Sequence, residues 1–292
     1  MKSHNVTLPE SRYYSAQGLS GKTALITGAT AGIGEAIACR FAELGLKKLV
    51  LCGRRTERLD ALKQRLMDEI EHQKPEGEED SAGSIVCVTL DVTDKKAVEK
   101  LAQEIGVIDI LVNNAGLALG TNAADETPYE DTMQMFQTNV IACAHLTSLF
   151  GKKMREQAAG HLVYISSVAG KDFYEGGSSY CATKHAIRGY ADALRCDLVG
   201  TPLRVTTISP GLCDTEFSVV RFKGDMEKAH NVYANIVPLC AADIADQVTY
   251  AVTRPPHVQI ADILCYPTNQ AHAKYVVSKQ GESLGAAPNT GA

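Results

Sequence analysis

Ser167, Tyr180 and Lys184 follow one another in the spacing Ser-x12-Tyr-x3-Lys, which describes a device for moving a proton. Tyr180 and Lys184 stand four residues apart, so on a helix they share one face and an ammonium sits beside a phenol. A free phenol has a pKa of about 10, and lowering it by ~3 units takes roughly 4 kcal/mol of differential stabilisation. A neighbouring cation acts in that direction, but one lysine falls short of the whole amount. A bound, positively charged nicotinamide ring would supply the remainder, so this chemistry requires a cofactor site elsewhere in the chain. Cys181, beside Tyr180, is not read as a nucleophile, because a helical neighbour points about 100° away. His185 is read as a packed or surface residue, and no Gly-x-Ser-x-Gly hydrolase signature is present.

The segment KTALITGATAGIG, from Lys22 to Gly34, has the form of such a site: an apolar strand, a glycine-rich turn and the start of a helix. Gly28 permits a tight turn, while Gly32 and Gly34 let backbone approach a pyrophosphate and let the helix pack closely on the sheet. The helix N-terminus then offers N–H groups and a positive dipole end to phosphate. The spacing is Gly-x3-Gly-x-Gly rather than the more widespread Gly-x-Gly-x2-Gly, and glycines at a strand-to-helix turn also serve purely steric needs. In a doubly wound fold, an acid ending the second strand accepts from the ribose of NAD, whereas an arginine accommodates the 2′-phosphate of NADP. Here the second strand ends in Leu51-Cys52-Gly53-Arg54-Arg55, with no acid. A solvated basic pair opening the next helix is the competing reading. Helix N-termini disfavour cations, so NADP is expected, with at least one of Arg54 and Arg55 on the phosphate.

The elements that must hold these residues follow from periodicity. Apolar runs at 23–26, 49–52, 85–90, 110–112, 162–165, 205–208 and 260–265 read as buried strands, with helical patterns between them. This alternation predicts an α/β fold with a parallel sheet covered on both faces. It runs without a break through the 292 residues, which favours one large domain at 21–270, preceded by an extension at 1–20 and followed by a partly disordered tail at 271–292. An acidic, breaker-rich stretch at 71–84 reads as a solvated loop. The net charge of −5 leaves no basic footprint for nucleic acid or anionic membrane, and no stretch has the ~20 apolar residues that span a bilayer. The first twenty residues lack the apolar run of a secretory signal, and Pro9, Glu10 and two adjacent tyrosines fit a mitochondrial presequence poorly. A cytoplasmic protein is therefore expected. The nine cysteines are scattered, without Cys-x2-Cys pairs, and the eight histidines show no paired spacing. They read as reduced thiols with no metal site.

From about Gly21 to about Gln270 the chain resembles the short-chain dehydrogenase/reductase family. Seven elements carry the resemblance in order and at the family's spacing: TGATAGIG at Thr27 to Gly34, LDVTD at Leu90 to Asp94, NNAG at Asn113 to Gly116, Asn139, ISSVAG at Ile165 to Gly170, YCATK at Tyr180 to Lys184, and Pro210-Gly211. The resemblance implies a Rossmann-type doubly wound parallel sheet of about seven strands with helices on both faces. It implies Tyr180 as general acid and base. Lys184 would lower the tyrosine pKa and bond the nicotinamide ribose, Ser167 (rather than Ser166) would bond the substrate oxygen, and Asn139 would hold a water that links the lysine to solvent. A packed asparagine in a long helix is the alternative for Asn139, although asparagine is a mediocre helix former. Cofactor contacts are implied at Gly28, Thr30, Gly32, Ile33, Gly34, Asp91, Val92, Asn113, Asn114, Pro210, Gly211 and Thr215, besides Tyr180 and Lys184. Asp91 also reads as a turn or cap residue, with Asp94 the better cap, and the two asparagines also read as turn chemistry before Gly116.

The segment 212–233, LCDTEFSVVRFKGDMEKAHNVY, and AGLALG at Ala115 to Gly120 are similar to the NADP-dependent 3-hydroxy acid dehydrogenases of this family, which oxidise serine and allo-threonine type substrates at the 3-hydroxyl. A carboxylate-bearing substrate needs a cation, best a bidentate arginine, and Arg221 and Lys171 lie in the two substrate-facing segments. Two other readings stay open. One is a reductase of another carbonyl substrate, such as a sugar, steroid or acyl thioester. The other is a nucleotide-binding regulatory protein without turnover, against which the complete Ser167, Tyr180 and Lys184 set argues. The family resemblance also implies a homo-oligomer, a dimer or tetramer, joined by long helices at 129–157 and 179–199.

Overall fold

The computed structural model describes residues 19–73, 83–278 and the backbone of 283–285. The expectations for residues 1–18, for 74–82 and for most of the chain beyond 278 lie outside the described residues. Strands β1 (Thr23–Thr27), β2 (Lys48–Gly53), β3 (Ser84–Thr89), β4 (Ile110–Asn113), β5 (Gly160–Ile165), β6 (Leu203–Pro210) and β7 (Asp262–Cys265) form one sheet in the order β3-β2-β1-β4-β5-β6-β7. Every pairing in it is parallel. Strand alternation divides the side chains between two cores: Ala24 and Ile26 of β1 enter one, Leu25 the other. Helices α1 (Gly32–Glu43), α2 (Thr56–Gln73) and α9 (Ala241–Val252) cover the first face. Helices α3 (Lys95–Ile105), α5 (Ala142–Glu156) and α6 (Ser178–Asp197) cover the second. Burial on both faces is why the strands read as continuous apolar runs. The remaining helices, α4 (Tyr129–Phe136), α7 (Phe217–Arg221) and α8 (Met226–Asn231), lie in the connections.

Two of three departures from the sequence expectations have physical causes in the structure. The single helix expected at 129–157 is α4 and α5 joined by a π-helical turn at Gln137–Ile141. That widened turn carries the buried Asn139, and such turns gather at functional sites. Strand β7 begins two residues later than expected because a side chain takes the ladder position: Val205 N donates to Gln259 Oε1 at 3.3 Å. The expected tail is structured at its start. Strands β8 (Gln270–His272), β9 (Tyr275–Val277) and β10 (Ser283–Gly285) form a small antiparallel sheet, and the apolar Ala273 and Val276 turn inward.

The chain leaves β1 toward β2 on one side and meets β4 on the other, so a crevice opens at the C-terminal ends of these strands. Two turns are joined there. Thr27 Oγ1 accepts from the N–H groups of Asn114 and Ala115 at 3.1 and 3.0 Å. Asn114 Nδ2 donates to Thr27 O and Gly28 O at 2.9 and 3.2 Å. A Cβ on Gly34 would press on the Gly28 carbonyl and lie 2.5 Å from Asn114 Nδ2. Gly34→Ala is therefore expected to destabilise the protein by about 1–3 kcal/mol through overpacking, read as a lower urea midpoint; an unchanged midpoint would contradict this account.

Candidate active site

The crevice is one continuous cleft of about 500 Å³, within the range of about 300–1,000 Å³ typical of small-molecule sites. At one end lies the glycine turn, where Gly28 and Gly32 take φ of +68° and +56°, conformations that favour glycine. A Cβ on Gly32 would come within 3.1 Å of Thr215, so backbone alone faces the cleft at that point. Helix α1 starts at Ala31 without a side-chain cap, which leaves its first N–H groups available to an anion. These features fit a dinucleotide pyrophosphate. Arg54 and Arg55 line the same cleft, but differently. Arg55 donates from Nε and Nη2 to Thr30 Oγ1 at 3.3 and 3.0 Å and from Nη1 to Glu216 at 2.8 Å. The cation at the start of α2 is thus already compensated, which answers the helix-dipole objection without a phosphate. Asp91 closes a turn by accepting from the N and Oγ1 of Thr93, and Asp94 caps α3. Burial raises the Asp91 pKa, but the Thr93 hydrogen bonds and the Arg54 charge outweigh it and hold the carboxyl below its ordinary value.

At the other end lie the proton-transfer residues. Tyr180 and Lys184 occupy the first two turns of α6, with Lys184 Nζ 5.7 Å from the Tyr180 ring centroid. Ser167 caps the short turn Val168–Gly170, accepts from Ala169 N at 3.1 Å and donates to Pro210 O at 3.5 Å. Ser166 is directed instead to the carbonyl of Lys184. Burial pushes the Tyr180 phenol above its ordinary value and Tyr174 adds to the rise; the Ser167 hydrogen bond and the Arg221 charge oppose it. Lys184, expected to act on the phenol, stands beside it. Lys184 is 6% exposed, its Nζ donates to Ile165 O at 2.9 Å, and burial lowers its own pKa to about 8. The Arg221 guanidinium lies 5.2 Å from the Tyr174 ring centroid, and its Nε donates to Gly120 O at 3.3 Å.

The cleft wall takes in Gly28, Thr30, Gly32, Ile33, Arg54, Arg55, Asp91, Val92, Asn114, Ser167, Tyr180, Lys184, Pro210, Gly211, Thr215 and Arg221. Four expected site residues are not on it. Gly34 packs under the joined turns. Asn113 points into the second core, with Nδ2 toward Thr147 Oγ1 at 3.5 Å. Lys171 forms an ion pair with Asp262 at 2.8 Å and does not line the cleft. Asn139 clamps the segment after β4: Oδ1 accepts from Leu117 N, and Nδ2 donates to Leu117 O and Thr183 Oγ1. Its carboxamide thus fixes the backbone of that segment. Several residues escaped the sequence reading. The Phe217 ring lies 5.5 Å from that of Tyr180, Gln270 Oε1 accepts from Leu212 N at 2.8 Å, and Glu216 reaches Arg55 and Arg58. Their partners lie far away in sequence and follow no periodic pattern. Among the described residues, no group of three or more His, Cys, Asp or Glu is placed to hold a metal ion, and no helix is long and apolar enough to cross a membrane.

Comparison with known proteins agrees with this geometry. Residues 22–225 match the family described as short chain dehydrogenase. The chain is 39% identical over 266 residues to an NADP-dependent 3-hydroxy acid dehydrogenase of Schizosaccharomyces pombe, covering 90% of this chain and 98% of the relative. It is 38% identical over 262 residues to a serine 3-dehydrogenase of Rhizobium radiobacter, covering 88% and 98%. A solved structure of serine dehydrogenase, the closed form complexed with NADP+, superposes with a TM-score of 0.78 at 41% identity, covering 88% of this chain and 100% of that one.

The buried lysine gives a pH-dependent test. Its pKa of about 8 lies below the ordinary 10.5, so between those values the unfolded chain keeps a proton that the native protein has released. Stability from this group therefore rises with pH across that window. Lys184→Met is expected to be the more stable protein at pH 7, with its advantage shrinking above pH 8, in urea melts of the cofactor-free protein. A pH-independent difference would rule this out.

Proposed function

We propose that this chain, which belongs to the short-chain dehydrogenase family, is an NADP-dependent dehydrogenase of small 3-hydroxy acids of the serine, allo-threonine and 3-hydroxyisobutyrate type. The observation that carries the reading is the position of Arg221, in the same cleft as Ser167 and Tyr180. A guanidinium there matches a substrate carboxylate while the hydroxyl two carbons away meets the acid/base pair. The names of the relatives point the same way.

Bound NADP supplies the hydride acceptor, or the donor in the reverse direction. Thr30, Gly32, Ile33, Arg54, Arg55, Asp91, Val92, Asn114, Pro210, Gly211 and Thr215 would hold it. Tyr180 takes the proton of the C3 hydroxyl during oxidation and returns it during reduction. Ser167 donates to the same oxygen as charge develops there. The buried phenol needs positive charge nearby to ionise; Lys184 and Arg221 would supply part of it, and bound NADP+ would add more. Lys184, with a pKa of about 8, exchanges protons near neutral pH and stands one helical turn from the phenol. Asn139 keeps the Leu117 backbone in place beside them. A cytoplasmic homo-oligomer completes the reading: the nine cysteines are free thiols, and Tyr129, Met133 and Ile141 expose apolar surface along α4 and the π-helical turn.

Tyr180→Phe is expected to lower kcat at least about 100-fold while the NADPH dissociation constant, from nicotinamide fluorescence, stays within a factor of about two. Retained turnover would remove Tyr180 from its role. Arg221→Ala is expected to raise KM for serine or 3-hydroxyisobutyrate about tenfold or more, as loss of a charged hydrogen-bond pair implies, and to leave KM for uncharged secondary alcohols nearly unchanged. Equal effects on both substrate sets, or wild-type activity confined to the uncharged set, would refute the hydroxy acid assignment.

A further inference from the structure

The loop that follows Gly211 is fastened at both ends. At its root, Leu239 N donates to Leu212 O and Asp214 N to Leu239 O, at 2.9 and 2.8 Å. Beyond α7, Gly120 N donates to Arg221 O at 2.8 Å, and Lys223 pairs with Asp131 at 2.7 Å. Between these anchors one carboxylate crosses to the opposite lip of the cleft. Glu216 Oε2 meets Arg55 Nη1 at 2.8 Å and Oε1 meets Arg58 Nη1 at 2.5 Å. Arg55 is held for this contact by Thr30 of the glycine turn. The neighbouring Thr215 lies over Gly32, where a Cβ would stand only 3.1 Å away. The segment Thr215–Glu216 is therefore a strap across the pyrophosphate end of the cleft, secured at the end where the arginines stand.

We propose that Glu216, Arg55 and Arg58 form a clasp that closes the substrate loop over bound cofactor and sets the rate at which that cofactor leaves. The proposal rests on reading the cleft as an NADP site. Glu216 is a positioning residue in this scheme: it touches neither hydride nor proton, but the cofactor cannot pass the strap until its carboxylate releases both guanidinium groups. All three side chains are partly exposed, so the clasp adds little to global stability. Its effect falls on the opening of a loop, where a small free-energy change alters a rate directly. One carboxylate shared by two guanidinium groups, one of them pre-oriented, also holds better than an isolated surface pair. Solvent exposure makes it sensitive to salt.

Arg58 separates the clasp from direct cofactor contact, because it meets Glu216 but does not line the cleft. The experiment follows release of NADPH from the full-length protein by stopped-flow fluorescence, with excess NADP+ as the displacing ligand. Glu216→Gln and Arg58→Gln are each expected to release NADPH roughly three- to fivefold faster than wild type, and the double variant no faster than Glu216→Gln alone, which already breaks both pairs. Hydride transfer in a single turnover should be unchanged in Arg58→Gln. Added sodium chloride should accelerate release in wild type more than in either variant. Release within about twofold of wild type in both variants would overturn the clasp. Acceleration in Glu216→Gln alone would also overturn it, since the carboxylate would then act on the cofactor directly. Wild-type protein that binds no NADPH would overturn the cofactor reading and the clasp with it.

Discussion

The site depends first on the joining of two turns at the centre of the sheet. The glycine turn after β1 and the Asn-Asn-Ala-Gly turn after β4 would diverge if each answered only to its own strand. The Thr27 hydroxyl and the Asn114 carboxamide tie them together, and Gly34 is small enough for α1 to close against both. This arrangement holds the crevice at the point where chain direction reverses across the sheet. The turn after β5 and helix α6 then bring Ser167 and Tyr180 to the far end of the same crevice.

Around the phenol, desolvation and charge oppose each other. A buried tyrosine resists ionisation, and a buried lysine beside it resists protonation. Both effects are present, since the phenol is pushed up and the amine down. Neighbouring cations oppose that cost: Lys184 Nζ lies 5.7 Å from the Tyr180 ring centroid, and Arg221 lines the same cleft. The π-helical turn serves the same end. It turns Asn139 inward so that its carboxamide fixes the Leu117 backbone next to the lysine.

Much of the fold was legible because the signals were local. Strands buried on both faces show as apolar runs, Asp94 opens α3 as a cap, and Gly28 and Gly32 mark left-handed backbone. The departures were non-local. The start of β7 was displaced by the Gln259 side chain, and the first part of the tail is ordered by packing that includes Asp172, which accepts from Ala273 N and pairs with His272. Lys171 illustrates the same limit at the site. Its position in sequence suggested a substrate contact, yet Asp262, more than ninety residues away, claims its charge.

By itself, the sequence determined the parallel Rossmann-type sheet, the glycine turn and the Ser167, Tyr180 and Lys184 set. Each depends on residue types at short, regular spacings that a helix or a turn converts directly into geometry. Only the tertiary structure decided which charges act on which groups. Lys184 is buried with a lowered pKa and donates to the Ile165 carbonyl, Arg221 adds a second cation to the same cleft, and Arg55 is held by Thr30 and Glu216. Electrostatic influence depends on distance through space and on exclusion of water, and neither is set by separation along the chain.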